Sequence, residues 1–258
     1  MLNFINSMLA QVDVRLVRKS THERLISNSD KFLMYEFSEL IERKYFINYL
    51  ENLHDSKSQL GQDLFVLSEL GFKRNGFFIE FGAANGIDLS NTHLMETKFG
   101  WKGILSEPAK IWHSELKSNR SSSIELDCVW KTTGDTLLFN EVNDNLHNGE
   151  LSTIDIFSNS DKHSKARKFS NKYEVKTISL SDMLKKHNAP KTIDYLSIDT
   201  EGSEYEILKG FDFNEYDIKI ITCEHNHTPI REKIFALLSA NGYVRKYTKY
   251  FFSYWSMV

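Results

Sequence analysis

The sequence predicts an α/β chain built on a doubly wound, mostly parallel sheet. Three observations predict it: short, nearly continuous apolar runs, helical stretches between them with their own stop signals, and acids where the runs end. Strands covered on both faces need continuous rather than alternating apolar runs.

The elements follow in order. Before residue 58 the pattern is helical. Leu2, Ile5, Leu9, Val12 and Leu16 recur in steps of three and four, the seam of an amphipathic helix. A second helical stretch runs from about Phe32 to Leu50. Residues 1–57 therefore read as an N-terminal helical extension and 58–258 as the main domain. Beyond residue 58, segments 76–82, 102–107, 122–130, 192–199 and 217–224 read as strands. Ser203-x-x-Glu206 reads as a capping box with a Lys209-Gly210 stop, and Ser179-x-x-Asp182 as a variant of it. Pro229 opens a helix that Asn241-Gly242 closes. Residues 243–255 read as an antiparallel hairpin. Residues 141–172 are long and polar, a solvated insertion or a mobile lid.

Composition narrows the class. The chain has 258 residues, 41% hydrophobic and 26% charged, enough for one core of useful size. A net charge of −3 argues against a dedicated nucleic-acid binder. No apolar run approaches the ~18 residues of a membrane span. The first fifteen residues lack the basic start of a secretory signal. Two distant cysteines, Cys128 and Cys223, form no disulfide framework, so a reducing, cytoplasmic setting is expected. The Leu2–Leu16 stripe, followed by Arg18 and Lys19, reads as a helix packed on its own or a partner subunit, or as a peripheral membrane contact.

In an open α/β sheet the ligand lies beyond the carboxyl ends of the strands. Those ends carry Glu80 with Gly82-Ala83-Ala84-Asn85-Gly86, then Glu107, Asp127, Asp199-Thr200-Glu201 and Glu224-His225-Asn226-His227. The loop departs from the dinucleotide fingerprint, with Ala84 and Ile87 at glycine positions, and Glu80 would repel a pyrophosphate. A cationic ligand suits the acids better. Glu80 can attract an ammonium, Glu107 can accept two ribose hydroxyls, and Asp127 can accept an adenine amino group. S-adenosylmethionine unites these features. Trp101, Trp112 and Trp130 flank the second and third strands, as core or against an adenine ring.

Segments 58–70 (SQLGQDLFVLSEL), 75–108, with LSNT after the glycine loop, and 192–211, with IDTEGSE, resemble the FkbM-type methyltransferases over roughly residues 58–250. The resemblance implies the Rossmann-like class I methyltransferase sheet of seven strands, the last pair antiparallel. It implies methyl transfer from S-adenosylmethionine to a hydroxyl oxygen, often of a sugar or other polar metabolite. By position it implies a cofactor set of Gln62, Asp63, Glu80, Gly82, Ala83, Asn85, Gly86, Ser90, Asn91, Glu107, Pro108, Asp127, Cys128 and Asp199. Ser90-Asn91-Thr92 can equally cap a helix, and Asp63 can equally start one. Asp199 is the first candidate base, His225 and His227 the second, and Glu201 a substrate-orienting group. Asp199, Glu201 and His225 offer ligands to a divalent metal, although none is expected. Glu204 and Glu206 belong with the helix start. The alternatives are a nicotinamide-dependent oxidoreductase and a non-catalytic interaction module.

Overall fold

The computed structural model describes residues 41–143, 149–168, 170–226, 228–249 and 252–257. The Leu2–Leu16 stripe and His227 lie outside them. A 3-10 turn at Arg43–Tyr45 leads to α1 (Phe46–Asn52) and α2 (Gln62–Glu69). The alternating part runs β1 (Phe77–Phe81), α3 (His93–Phe99), β2 (Lys102–Ser106), α4 (His113–Asn119) and β3 (Ser123–Glu125). Next come β4 (Cys128–Trp130), β5 (Thr136–Val142), β6 (Thr153–Ile154), β7 (Ser170–Ser179) and α5 (Leu180–Lys186). The chain then follows β8 (Thr192–Ile198), α6 (Glu204–Lys209), β9 (Asp217–Glu224), α7 (Ile230–Ala240), β10 (Tyr243–Lys249) and β11 (Phe252–Met257).

The main sheet has seven strands in the order β10-β11-β9-β8-β1-β2-β3. Five pair in parallel, and β11 enters antiparallel between β9 and β10. This is the doubly wound sheet expected, with the terminal hairpin in place. Its continuous apolar runs have their physical reason in two separate cores. Ile79, Leu196 and Ile221 enter one, while Phe78, Tyr195 and Ile220 enter the other, so successive residues of one strand are buried on opposite faces.

Four details differ from the sequence reading. Residues 122–130 are two strands in two sheets, because the Glu125 carboxylate accepts from the Leu126 and Asp127 amides and turns the chain. Residues 141–172 are no mere solvated loop. Their described part contributes to a second sheet, β4-β7-β5-β6, around Trp112, Trp130 and Phe139. Ser203 makes no side-chain cap; Glu204 reaches back to the Thr200 and Gly202 amides instead. Within the described residues, the helix expected to run to Leu50 begins at Phe46 and ends at Asn52. Ser179 does cap α5, accepting from the Asp182 amide.

The chain winds from β1 outward to β3, then returns to β8 on the other side of β1. That reversal is where an open sheet gapes and binds ligands. Gly82 shows how tight the junction is: it has φ +74°, and a Cβ there would lie 2.0 Å from the Asp199 carbonyl oxygen.

Candidate active site

A cavity of about 250 Å³ opens at this reversal. One wall is the loop after β1. Gly82 and Ala84 line it, and the Ala84 amide donates to Glu107 Oε2 at 2.8 Å. Glu107 Oε1 accepts from the Ala109 amide at 2.8 Å, so backbone donors fix the carboxylate at the β2 tip. Burial, which outweighs those two hydrogen bonds and is aided by Glu141 and Asp199, pushes Glu107 up to about 7. Each oxygen keeps acceptor capacity for a hydroxyl. Pro108 and Trp112 continue this wall.

Glu80 also lines the cavity, yet both its oxygens are engaged. Oε1 accepts from the Asn91 amide at 2.6 Å, and Oε2 from Ser90 Oγ and Thr92 Oγ1. Arg120, buried at the same point, lies 3.7 Å from Glu80 and bonds the Gly86 carbonyl, Ser90, Thr92 and Glu96. Glu80 therefore anchors the segment leading into α3, and Arg120 balances its charge. Asn91 lines the cavity and donates to Ser197.

The adjoining wall is acidic. Asp199, Glu201 and Glu224 bring one carboxylate oxygen each within 4.8 Å of one another. Asp199 and Glu224 are thus close enough for each carboxylate to disfavour the charge of the other. Burial, together with the charges of Glu204 and Glu80, raises Asp199 to about 7. Burial and Asp199 drive Glu224 well above the ordinary carboxylate range. Burial and Asp199 also push Glu201 upward, against Arg167, whose Nη2 stands 2.8 Å from Glu201 Oε2. Arg167 comes from the segment between β6 and β7 and is itself buried. It makes two bonds to Asp161 and one to the Leu151 carbonyl. That segment also contributes His163 to the cavity, and Leu151 and Ser152 reach it from just before β6.

The structure sorts the residues named from sequence. Glu80, Gly82, Asn91, Glu107, Pro108, Asp199 and Glu201 line the cavity. Ala83, Asn85, Gly86 and Ser90 stand behind it. Asn85 Oδ1 accepts from the Ile87 and Asp88 amides, and Gly86 makes room for Arg120 and Leu116 of α4. Gln62 and Asp63 turn inward, contrary to the family-based expectation. Gln62 accepts from the Leu60 amide, and Asp63 accepts from Ser56, Ser58 and the Leu64 amide at the start of α2. Gln59 is the residue of this segment that faces the cavity.

Asp127 and Cys128 do not reach the cavity, because the chain leaves the main sheet at Glu125. Asp127 is half-buried, 3.9 Å from Lys186, and Cys128 is buried in β4. His225 lines a neighbouring cavity, so Glu224 stands where a histidine ligand was expected beside Asp199 and Glu201. Of the three tryptophans, Trp112 borders the cavity, whereas Trp101 and Trp130 are core. Sequence reasoning passed over Glu224, which stood in view at a strand tip. It passed over Arg167 and His163 for want of any local signal.

The sheet order, the antiparallel terminal hairpin and an acid-lined cavity at the strand reversal define a Rossmann-like methyltransferase fold. Residues 80–246 match the methyltransferase FkbM domain, and the chain belongs to that family. Its chemistry is accordingly S-adenosylmethionine-dependent methyl transfer. Among solved structures, the chain is similar to the methyltransferase FkbM from Methylobacillus flagellatus KT. Identity is 12% and the TM-score 0.44, over 83% of this chain and 60% of that one, so less than two thirds of that protein is spanned. It is also similar to precorrin-6y C5,15-methyltransferase from Geobacter metallireducens GS-15, at 10% identity and a TM-score of 0.41, over 75% of this chain and 84% of that one. No curated protein matches the sequence. Among the described residues no helix is long and apolar enough to cross a membrane.

Proposed function

We propose that the protein methylates a hydroxyl oxygen of a carbohydrate or other polar metabolite. The observation that carries this reading is the cluster of Asp199, Glu201 and Glu224, whose carboxylate oxygens lie within 4.8 Å of one another in the cavity that Gly82 and Glu107 also line. The donor set suits S-adenosylmethionine: Glu107 for a diol, Trp112 for an aromatic face, and clustered carboxylates for a cation. When bound, the cofactor supplies an electrophilic methyl group on a good leaving group. The chain must then hold the acceptor oxygen in line and remove its proton. Asp199, with a pKa near neutrality, is suited to that removal, because a base works best when its pKa lies near the working pH. Glu201, fixed by Arg167, orients the acceptor. Free, buried Cys128 and Cys223 fit a reducing, cytoplasmic setting.

Incubation with methyl-labelled S-adenosylmethionine and extracts of host glycans and metabolites tests the reading. We expect label in an alkali-stable ether, and at least a hundredfold loss of turnover in Asp199→Asn with S-adenosylhomocysteine binding retained. Unchanged turnover in that variant removes Asp199 as the base. Label on nitrogen or carbon removes O-methylation.

A further inference from the structure

A second cavity of about 220 Å³ adjoins the first, and Glu224 and Asn226 line both. Its walls come from two places that the chain brings together. Phe157 descends from the segment between β6 and β7, while Pro229 and Ile230 form the start of α7. Phe157 is held in place by the edge of Trp130, with ring centroids 6.1 Å apart. Its approach depends on Gly202, which has φ +123° and where a Cβ would lie 3.0 Å from Phe157 Cβ.

The polar groups around this cavity are largely spent on the protein itself. Asp161 is held by the Arg167 fork. Glu204 accepts from Thr200 and Gly202, the Thr228 hydroxyl donates to the His225 carbonyl, and the Ser160 hydroxyl donates to the Phe157 carbonyl. An occupant meets the aromatic and aliphatic surface of Phe157, Pro229 and Ile230, with His225 and Lys233 also in the lining and Glu224 shared with the first cavity. Phe157 on one side and Pro229 with Ile230 on the other leave a slot suited to a ring laid flat on the aromatic face.

We propose that this second cavity is the acceptor subsite, and that it takes a single hydroxyl-bearing ring whose apolar face lies on Phe157 while its hydroxyl points to Glu224. The inference rests on the reading that the first cavity holds the methyl donor. A pyranose with its C–H face and an aryl ring share this chemistry.

Saturation-transfer NMR on the full chain, with S-adenosylhomocysteine present, tests it using two probes, methyl β-D-glucopyranoside and catechol. We expect saturation of the ring protons of at least one probe, and the responding probe shows whether the site takes a saturated or an aromatic ring. In Ile230→Trp, which fills the space, the signal drops at least fivefold while S-adenosylhomocysteine affinity stays within twofold. Phe157→Ala, which removes the wall without filling the space, gives the same loss and guards against misfolding of the first variant. Silence from both probes in the loaded wild-type chain overturns the proposal, as does an undiminished signal in both variants. A wild-type chain that binds no S-adenosylhomocysteine overturns the donor reading instead, and the same titrations without it still score the ring pocket.

Discussion

Glu107 is held by two backbone amides in a place no side-chain rearrangement would offer, and that fixity is what a diol-binding acid needs. Replacing it by Ala removes a pair of charge-assisted hydrogen bonds, each worth about 1.5–3 kcal/mol. S-adenosylhomocysteine affinity should therefore fall roughly 10²- to 10⁴-fold by calorimetry; an unchanged isotherm would take the diol away from Glu107. Glu107 was legible in the sequence because strand-tip acids follow from the topology rule alone. Glu224 was visible at the same kind of position, but the histidines beside it offered a more familiar base. Glu224, the last residue of β9, borders both cavities and stands near Asp199, whereas His225, just past the strand, lines only the second. Asp127 and Cys128 misled by the same local reasoning, since nothing in their own residues announces that the chain changes sheets at Glu125.

At the scale of elements, the parallel strands and their helices were legible because burial on both faces leaves continuous apolar runs. β5 and β7 were not. They pair with each other along Thr136–Val142, but their burial is uneven and β7 is largely polar, so neither was read as a strand, and their ends fell within the polar 141–172 segment. What holds the intervening segment against the site is equally invisible locally. Arg167 joins Asp161, 6 residues before it, to Glu201, 34 residues after it beyond β7, α5 and β8. Thr153 Oγ1 adds a bond to the Glu201 carbonyl at 2.9 Å. Arg167→Ala would leave two buried carboxylates without their cation, a change that typically costs about 3–5 kcal/mol. We expect faster proteolytic cleavage between residues 149 and 168 and a higher KM for the acceptor. Arg167→Lys keeps the charge but not the planar fork, so it should recover only part of both effects. Cleavage at the wild-type rate in Arg167→Ala would mean that the second sheet alone holds the segment.

The whole molecule concentrates acids that its own fold pushes up. Burial raises Asp63 to about 6 and Glu107 and Asp199 to about 7, from ordinary values of 3.8, 4.5 and 3.8. For each, the native state holds its proton more tightly than the unfolded chain does. The stability this confers is complete below about pH 4 and is lost as pH rises toward 7. Glu96 works in the other direction. Burial alone would raise it, but Arg120 and the hydrogen bonds of Ser121 and Ser122 outweigh that and hold it at about 2. Its contribution is present above about pH 4.5 and fades toward pH 2. The ligand-free protein should consequently be most stable near pH 5, and its urea midpoint should fall steadily at pH 6.5 and pH 8. A ligand carrying positive charge favours the ionised acids, so S-adenosylmethionine should raise the midpoint more at pH 8 than at pH 5. S-adenosylhomocysteine, which lacks the sulfonium charge, should show the smaller difference. A midpoint that rises from pH 5 to pH 8 without ligand would show these acids already ionised and paired, and the cluster would lose its claim to receive a cation.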